Sequence, residues 1–444
     1  MKIIIAGAGE VGAHLAKMLA NESQNIILID EDEERLRPLE ANFDLLAIRG
    51  NATSLKDLKA AGVKNADLFI AVTPEESKNM TACMLATKMG ARITVARIDN
   101  YEYLLPVNKE FFKTLGVDHL IYPEMLAAKE IVNSLKRQWV RQWLEFYGGE
   151  LILIGVKVRD NAPMVNKKFE ELFHSNTQVR VVAIKRKLAT LIPKGGDEIK
   201  ADDTVYFMTT NESVDYVRQL AGKDDTQINN VIMMGGSRIT IKTAQYLPGN
   251  MSVKIIEKDR ERADRVIENI SDALVISGDA RDLDLLKEEG IGNTDAFVAA
   301  TGNSEANILA CLAARRHGVQ KTIAEVENID YIPLAENLDV STIINKKQIA
   351  AGYIYLLTLN AEVTDIKLLT NVDVDVIEFL VKKGARITKE PVKHLKLPRE
   401  LHLGGVIRDG VGMIVTGDTH IQADDRVIVF CRSSYIRKVE KYVE

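Results

Sequence analysis

Short apolar runs alternate with segments of helical periodicity along the N-terminal part of the chain. The runs that predict strands are residues 2–6, 26–29, 45–48, 68–72 and 93–98. Apolar residues between these runs recur at helical spacing, and residues 14–20 predict the first helix. Alternating strands and helices are typical of a parallel sheet with helices on both faces. The pattern therefore predicts a doubly wound α/β domain at the start of the chain.

A second copy of this pattern begins in the middle of the chain. Residues 50–73 and 278–301 are identical at 11 of 24 positions, at a constant offset of 228. Chance alone would give about one or two matches. Nearer the C-terminus, a segment ending at Asp203 matches one ending at Asp425 at an offset of 222. The chain is therefore an internal duplication whose first copy carries six extra residues, which we place within 106–116.

A long helix is predicted to follow the first set of strands. Residues 123–147 carry apolar side chains at helical spacing, including both tryptophans of the chain, Trp139 and Trp143. An aromatic stripe of this kind usually covers the core of its own chain. Tryptophan is also enriched at interfaces, so a contact between subunits or between the two halves stays open as the alternative.

The composition is that of a folded protein. Of the 444 residues, 46% are hydrophobic and 27% are charged, and the net charge is -5. Lysine and arginine are scattered, so we expect no nucleic-acid partner. The three cysteines form no CxxC pair and are expected to be core residues in a reducing compartment. No apolar run approaches the ~18 residues of a membrane span, which predicts a cytoplasmic protein.

We expect neither a catalytic centre nor a metal site from the titratable residues. The seven histidines lie apart and suggest no acid–base constellation. Acid pairs occur at 202–203 and 424–425, each in a turn that precedes a strand. Adjacent carboxylates in a turn are usually solvated, so we expect these pairs to face solvent and not to ligate a divalent cation.

One glycine-rich loop lies where a dinucleotide-binding loop belongs. It follows the first strand, opens the first helix and reads Gly7, Ala8, Gly9, Glu10, Val11 and Gly12. Gly7 permits the tight turn, Gly9 admits the pyrophosphate close to the backbone, and Gly12 lets the helix pack on the strand. Asp30 ends the second strand and can accept hydrogen bonds from both ribose hydroxyls. Its charge would repel a 2′-phosphate, so NAD(H) or an adenosine nucleotide is favoured over NADP.

Further candidate residues fall at the carboxyl ends of strands, where sheets of this kind bind ligands. They are Asn51, Ala52 and Thr53 after the third strand, Thr73 and Pro74 after the fourth, and Arg97 at the end of the fifth. Asn51 and Thr53 are expected to border the adenine pocket. Arg97 is predicted to offset phosphate charge, with a surface ion pair as the alternative role.

The second copy carries an incomplete version of the same loop. Its candidate site residues are Gly235, Gly236, Ser237, Arg238, Ile239, Glu257, Asp279, Thr301 and Gly302. Ser237 adds a side chain where the pyrophosphate should approach, and Thr240 crowds the helix against the strand. Glu257 can replace Asp30. Glu325 stands where the first copy has an arginine, which reverses the charge. We therefore predict weak or absent nucleotide binding in this half.

The predicted fold class is α/β, with two Rossmann-type doubly wound parallel sheets, each followed by a small α/β domain. In the first copy, residues 1–122 form the nucleotide-binding domain, 123–147 the linking helix and 148–222 the small domain. The corresponding parts of the second copy are 228–345, 346–366 and 367–444.

As a set, the motifs resemble those of the TrkA family of Trk potassium-uptake regulatory proteins. They are the loop GAGEVG with Asp30, the turns GNAT and GDA, the strand ends AVT and AAT, and the paired ADD turns. The repeating unit of that family is the RCK domain (regulating conductance of potassium). The resemblance implies NAD(H) or ATP/ADP as ligands at the residues named above. It also implies a homotetrameric gating ring, peripheral on the inner face of the cell membrane, beneath a separate integral-membrane potassium channel or transporter.

Two other functions compete with this regulatory one. An NAD-dependent oxidoreductase is the commonest inference from a dinucleotide-binding loop, but the scattered histidines and the short, duplicated small domains argue against it. A nucleotide sensor whose partner is not a transporter is the other alternative, because no segment of the sequence names the target.

Overall fold

A computed structural model of the chain describes residues 1–20, 24–173, 178–187, 189–193, 196–224, 226–358, 363–368, 374–398, 400–432 and 435–443. Contacts divide the chain into two compact units. The first unit comprises Met1–Leu126 and Lys346–Leu359, and the second comprises Ala127–Asn345 and Asn360–Glu444. Among the described residues, no helix is both long and apolar enough to cross a membrane.

The first nucleotide-binding domain is a six-stranded parallel sheet flanked by helices. Its strands are β1 (Lys2–Ala6), β2 (Asn25–Asp30), β3 (Leu46–Arg49), β4 (Leu68–Ala71), β5 (Ile93–Arg97) and β6 (His119–Ile121). Its helices are α1 (Glu10–Ala20), α2 (Glu33–Asn42), α3 (Leu55–Ala60), α4 (Glu76–Met89) and α5 (Pro106–Thr114). The strand order β3-β2-β1-β4-β5-β6 is that of a Rossmann fold. The predicted doubly wound sheet is confirmed, with strand limits within one residue of those expected.

Both faces of this sheet are buried, as a parallel sheet requires. Ile4 and Phe69 are fully buried on one face, together with Cys83 from α4. The thiol of Cys83 donates to the carbonyl of Val95 at 3.3 Å. In the second copy, Cys311 is equally buried. Cys431 is also fully buried, so the expectation that all three cysteines are core residues is confirmed.

The chain continues through a helix into a small antiparallel sheet. The helix is α6 (Pro123–Leu135). The strands are β7 (Gln142–Phe146), β8 (Leu151–Lys157), β9 (Val179–Arg186), β10 (Ala189–Leu191) and β11 (Thr204–Thr209), in the order β10-β9-β11-β8-β7. Two helices accompany them, α7 (Phe169–Leu172) and α8 (Val214–Leu220).

The linking helix predicted over 123–147 is wrong in its second half. Helix α6 ends at Leu135, and Trp143 lies in β7, which pairs antiparallel with β8. Trp143 packs in one core of the small domain, whereas its neighbour Leu144 packs in the other. Because Trp143 on one face of β7 and Leu144 and Phe146 on the other are all buried, the sequence lacks the alternation that marks a strand. Trp139 also packs against the core that contains Trp143, so both tryptophans contact their own chain.

The second nucleotide-binding domain repeats the first. Its strands are β12 (Asn230–Met234), β13 (Ser252–Glu257), β14 (Ala273–Ser277), β15 (Ala296–Ala299), β16 (Lys321–Glu325) and β17 (Thr342–Ile344). Its helices are α9 (Arg238–Tyr246), α10 (Arg260–Asn269), α11 (Leu283–Glu288), α12 (Ser304–Arg316) and α13 (Ile332–Asn337). The strand order β14-β13-β12-β15-β16-β17 matches that of the first copy. Strand β17 follows β6 at an offset of 223, so five of the six extra residues precede β6, where α5 is longer than α13.

A second helix and a second small sheet complete the chain. They are α14 (Lys346–Leu356), β18 (Val363–Leu368), β19 (Asp375–Leu380), β20 (Leu401–Arg408), β21 (Val411–Ile414), β22 (Arg426–Cys431) and α15 (Ile436–Val443). The sheet order is β18-β19-β22-β20-β21. The linking helix predicted over 346–366 is too long, because α14 ends at Leu356 and β18 already begins at Val363. The prediction for residues 359–362 lies outside the described part of the chain.

The two acid pairs are not solvated as expected. Asp203 and Asp425 are each 1% exposed. Each receives two hydrogen bonds from one guanidinium, that of Arg186 at 2.9 and 2.7 Å or that of Arg408 at 2.8 and 2.7 Å. A backbone amide three residues earlier also donates to each carboxylate, at 2.8 and 2.7 Å. The first member of each pair stays exposed, but the turn folds the second inward to meet an arginine from a neighbouring strand.

Candidate functional site

The three glycines of the first loop differ in what surrounds them. Gly7 has φ of +108°, a conformation that favours glycine. A Cβ on Gly12 would lie 1.9 Å from the carbonyl oxygen of Gly7, so the contact between loop and helix leaves no room for a side chain. A Cβ on Gly9 would meet no atom within 4 Å. The loop therefore packs tightly at Gly12 but leaves free space beside Gly9, where a phosphate group can approach the backbone.

Asp30 lies beside this loop at the carboxyl end of β2. One of its carboxylate oxygens accepts the amide of Ala8 at 2.5 Å, and the other accepts the amide of Asp32 at 2.8 Å. Each oxygen of a carboxylate has a second lone pair, which can accept a ribose hydroxyl. Asp30 is thus held against the glycine loop in an orientation suited to a ribose.

The turns after β3 and β4 lie at the same edge of the sheet. The side-chain oxygen of Asn51 accepts the amide and the hydroxyl of Thr53, at 2.8 and 2.7 Å, while Ala52 is buried. The amide and hydroxyl of Thr73, next to Pro74, donate to the side chain of Asn79 at 2.9 and 2.7 Å. These hydrogen bonds fix the conformation of both turns at the carboxyl edge of the sheet.

Arg97 is the last residue of β5 and lies at the same carboxyl edge. Its guanidinium lies 3.7 Å from Asp99 and 3.5 Å from Glu124. The Nε of Arg97 and one carboxylate oxygen of Glu124 are buried without a hydrogen-bond partner among the described residues. A buried donor of this kind costs free energy unless something satisfies it, so the described residues leave one hydrogen-bonding group of Arg97 unused.

Sequence reasoning missed a lysine that contacts the glycine loop of the first copy. Lys347 is the second residue of α14. Its side chain is 7% exposed and forms an ion pair with Glu10. Helix α14 packs against α1 within the first unit. A motif search cannot find this residue, because it lies more than three hundred residues from the loop and no local pattern marks it.

The second loop has the same course but is capped by its own side chain. Gly235 has φ of +99°, and Gly236 donates to Glu257 at 2.5 Å, as Ala8 donates to Asp30. The hydroxyl of Ser237 accepts the amide of Thr240 at 3.3 Å and caps α9. One of the backbone amides at this helix end, that of Thr240, is therefore already satisfied.

The remaining residues predicted for the second half lie along the same edge. Arg238 and Ile239 begin α9, and Thr301 donates to Asn307 as Thr73 does to Asn79. Asp279 pairs with Arg281 at 2.6 Å, and hydrogen bonds from Arg281 lower the pKa of Asp279 to about 2. A Cβ on Gly302 would meet no atom within 4 Å. Glu325 is 3% exposed at the position of Arg97.

Asn79 and its counterpart Asn307, which occupy matching positions in the two copies, each connect the ends of two strands. Asn79 donates to the carbonyls of Thr73 and Arg97, at 2.9 and 3.0 Å. Asn307 donates to those of Thr301 and Glu325, at 3.0 and 2.8 Å. Each asparagine ties the ends of two strands together and thereby fixes the width of the carboxyl edge.

The fold and the two loops define a tandem protein with two Rossmann-type domains, each followed by a small antiparallel domain. The TrkA-N domain family matches residues 3–123 and 231–346, and the TrkA-C domain family matches 153–222 and 376–444. The chain therefore belongs to the TrkA family of Trk system potassium uptake proteins, and the resemblance drawn from its motifs is confirmed.

Full-length relatives and solved structures agree with this assignment. The chain is 32% identical to a Trk system potassium uptake protein TrkA homolog of Archaeoglobus fulgidus and 31% identical to TrkA of Vibrio alginolyticus. These alignments cover 99% of this chain and 99% and 98% of the relatives. The GsuK channel bound to NAD has a similar fold, with a TM-score of 0.63 at 14% identity over 100% of this chain and 78% of that one. GsuK bound to ADP gives a TM-score of 0.50 at 13% identity, over 80% and 68%.

Proposed function

We propose that this chain is the nucleotide-binding regulatory subunit of a potassium uptake system and controls a separate membrane potassium transporter or channel. Its family membership supports the system, since the full-length relatives are named as Trk potassium uptake proteins. Nucleotides as ligands are supported by neighbours of similar fold that were solved with NAD and with ADP. The ligand of the first half is NAD(H) or ATP/ADP.

The observation that carries the proposal is the open edge of the first domain. The space in front of Gly9 is free, Asp30 is oriented beside it, and the buried Nε of Arg97 lacks a partner among the described residues. A pyrophosphate over Gly9 would be held by backbone amides at the start of α1, and Asp30 would accept the ribose hydroxyls. We assign the main nucleotide site to this edge and a weaker one, or none, to the capped loop at Ser237.

A bound nucleotide is expected to alter the ion pair between Glu10 and Lys347. Glu10 lies at the N-terminus of α1, where a bound phosphate would also lie and would repel it. Lys347 offsets that charge and can turn toward the phosphate when a nucleotide binds. Only a ligand with unequal affinity for two conformations shifts their populations, so we expect the Glu10–Lys347 pair to differ between them.

Hydride transfer is not part of this proposal. The ligand is expected to act through binding alone, in a homotetramer on the inner face of the membrane. Steady turnover of NAD(H) with any added small substrate would contradict the regulatory function. Pull-down from membranes, with and without nucleotide, separates a potassium transporter from any other partner.

Calorimetry on the full chain tests the site. We expect one strong site per chain for the preferred nucleotide. Gly9→Ser installs the residue of the second loop and should weaken that affinity about tenfold or more, because the new side chain enters the phosphate path. The melting temperature should not change, since a Cβ fits there without contact. Ser237→Gly is the matched control and should leave the strong site unaltered.

Two results would contradict this assignment: two sites of equal affinity per chain, or an unchanged affinity in Gly9→Ser. The regulatory step is tested with the membrane partner in proteoliposomes. Nucleotide-dependent potassium flux should require this chain and should be lost with Gly9→Ser. Flux that responds to nucleotide equally well with the variant would exclude the first loop as the sensor.

A further inference from the structure

A polar cavity lies at the amino edge of the second parallel sheet, opposite the edge that carries the nucleotide loop. Its volume is about 570 Å³. Three of its lining residues lie at the starts of strands. Asp295 and Gln320 directly precede β15 and β16, and Asp339 lies three residues before β17. The others come from the segment before β7, from the end of β8 and the residues just after it, from the chain after α8, from the last turn of α12 and from Ser341. All belong to the second unit.

One carboxylate in this cavity is shared by four cations. Asp339 lies 2.7 Å from Arg141, 2.6 Å from Arg159, 2.8 Å from Arg315 and 3.6 Å from Lys157. Burial opposes ionisation of Asp339, but these cations hold its pKa below the ordinary value. A guanidinium has five N–H donors and an ammonium three, whereas a carboxylate offers about four acceptor positions. Most donors around Asp339 therefore cannot be satisfied by it.

The cavity has a net positive charge. Its lining contains a fifth cation, Lys223, and two further acids, Asp224 and Asp295, so five cations face three carboxylates. One oxygen of Asp295 is already bonded to two backbone amides, at 2.8 and 2.9 Å. Burial and the repulsion of neighbouring cations, Arg159 first among them, lower the pKa of Lys223. Among the lining residues the surplus is two positive charges, and outside the lining the exposed Asp202 lies 3.4 Å from Lys157. A surplus of positive charge suits an anion.

Two of the residues in this cluster, Arg315 and Asp339, have uncharged counterparts in the first copy. In the first copy, the hydroxyl of Thr87 donates to the carbonyl of Gly116 at 2.6 Å. At the equivalent place, the guanidinium of Arg315 donates to the carbonyl of Asp339 at 2.8 Å. The fold of this corner therefore needs neither charge, because a threonine and a glycine make the same connection in the first domain.

We propose that this cavity binds a phosphate dianion, as inorganic phosphate or as the phosphate group of a small metabolite. A phosphate monoester carries about −1.5 to −2 charges at neutral pH and accepts bidentate hydrogen bonds from arginine. The cavity is distinct from the nucleotide site of the first domain, because none of its lining residues belongs to that domain. It does not depend on the proposed regulatory function.

Trp139 lines the cavity and provides the readout. Addition of inorganic phosphate to the full chain should change tryptophan fluorescence with saturation, whereas sodium chloride at equal ionic strength should not. Trp139→Phe should abolish the fluorescence change while calorimetry still detects binding. A response that merely follows ionic strength would overturn the proposal.

A double variant tests the cations. Arg159→Gln with Lys223→Gln should weaken phosphate binding about tenfold or more, because two of the donors lose their charge. Arg49→Gln, at an exposed ion pair in the first domain, is the matched control and should have no effect. Unaltered phosphate affinity in a folded double variant would contradict the site.

Asp339→Asn tests the same site in the opposite direction. Asparagine tolerates the left-handed backbone at this position, where φ is +66°. Loss of the shared carboxylate leaves the cations without their counter-charge, so phosphate should bind more tightly and should raise the melting temperature more than in the parent chain. Phosphate that fails to raise the melting temperature of Asp339→Asn would contradict the proposal.

The two sources of phosphate are separated in the Gly9→Ser background, in which the strong nucleotide site is expected to be lost. Inorganic phosphate and AMP are titrated in parallel there. Tighter binding of inorganic phosphate identifies the free ion, and tighter binding of AMP identifies a phosphorylated metabolite. Binding of neither ligand would overturn the proposal.

Discussion

The two nucleotide-binding domains have the same strand order and the same loop course, but they differ in a few side chains at the edges of the sheet. At the carboxyl edge, the first domain has Gly9 and an open phosphate path, whereas the second has Ser237 and a capped helix. At the amino edge, the first domain has the uncharged residues Thr87 and Gly116, whereas the second domain has Arg315 and Asp339 at the equivalent positions. The same backbone fold therefore presents different side chains at its two edges, and substitutions at single positions account for the difference.

The largest difference is expected at the third position of the glycine loop. Gly12→Ala should lower the free energy of unfolding by about 3 kcal/mol or more, because its Cβ would overlap the carbonyl of Gly7. At the equivalent position, Thr240→Ala should cost about 1 kcal/mol, since the second loop already accommodates a side chain there. Denaturant unfolding measures both. A Gly12→Ala protein as stable as the parent would mean that the first loop can move away from α1.

A buried lysine distinguishes the second sheet from the first. Lys321 is fully buried in β16 and donates to the carbonyl of Val140 at 2.6 Å, and burial lowers its pKa to about 7. The first domain has Ile93 at this position. Lys321→Ile should raise the free energy of unfolding by about 2 kcal/mol near pH 6, where the parent buries a charged ammonium.

The sign of the pH dependence follows from the lowered pKa. Below the folded-state pKa of about 7, Lys321 is charged in both states, and the folded state carries the whole cost of burial. Between that value and the ordinary 10.5, the unfolded state binds more protons, so stability rises with pH. Lys321→Ile should remove this rise. A rise of equal size in the variant would assign it to other groups.

The acid at the end of the second strand sharpens the comparison of ligand affinity. Asp30→Asn should weaken nucleotide binding about tenfold, because an amide oxygen replaces only one of the two carboxylate acceptors. Glu257→Gln is the matched variant of the second loop, and we expect it to leave the strong site unchanged. Calorimetry with NADH and ATP measures both affinities. An equal loss in the two variants would show that the halves share the strong site's ligand.

The smallest effect is expected at the cap of α9. Ser237→Ala should lower the free energy of unfolding by about 1 kcal/mol, because the amide of Thr240 loses its acceptor. Ser237→Gly should cost only a few tenths of a kcal/mol, since glycine is tolerated at this position of a helix. Thermal unfolding of both variants tests the order. Equal stability of the alanine variant and the parent would mean that water caps the helix instead.

Local patterns were sufficient for the parallel sheets and for β11 and β22 of the small domains, but not for β7. The strands at 2–6 and 68–72 are short apolar runs, and the residues that mark the following loop and helix lie within a few positions of each run. Strand β7 was predicted as helix, because its apolar residues are spaced four apart and its hydrogen-bond partner is another strand. The burial of Asp203 could not be predicted either, since only the folded sheet brings Arg186 to that turn.

The sequence by itself determined the duplication, the order of the domains and the positions of the two glycine loops. These features are local, because a loop between a strand and a helix is specified by neighbouring residues. The tertiary structure alone decided that Lys347 contacts Glu10 and that Arg141, Arg159 and Arg315 converge on Asp339. Each of those contacts joins elements far apart in the chain, so it depends on how helices and sheets pack and leaves no periodic trace in the sequence.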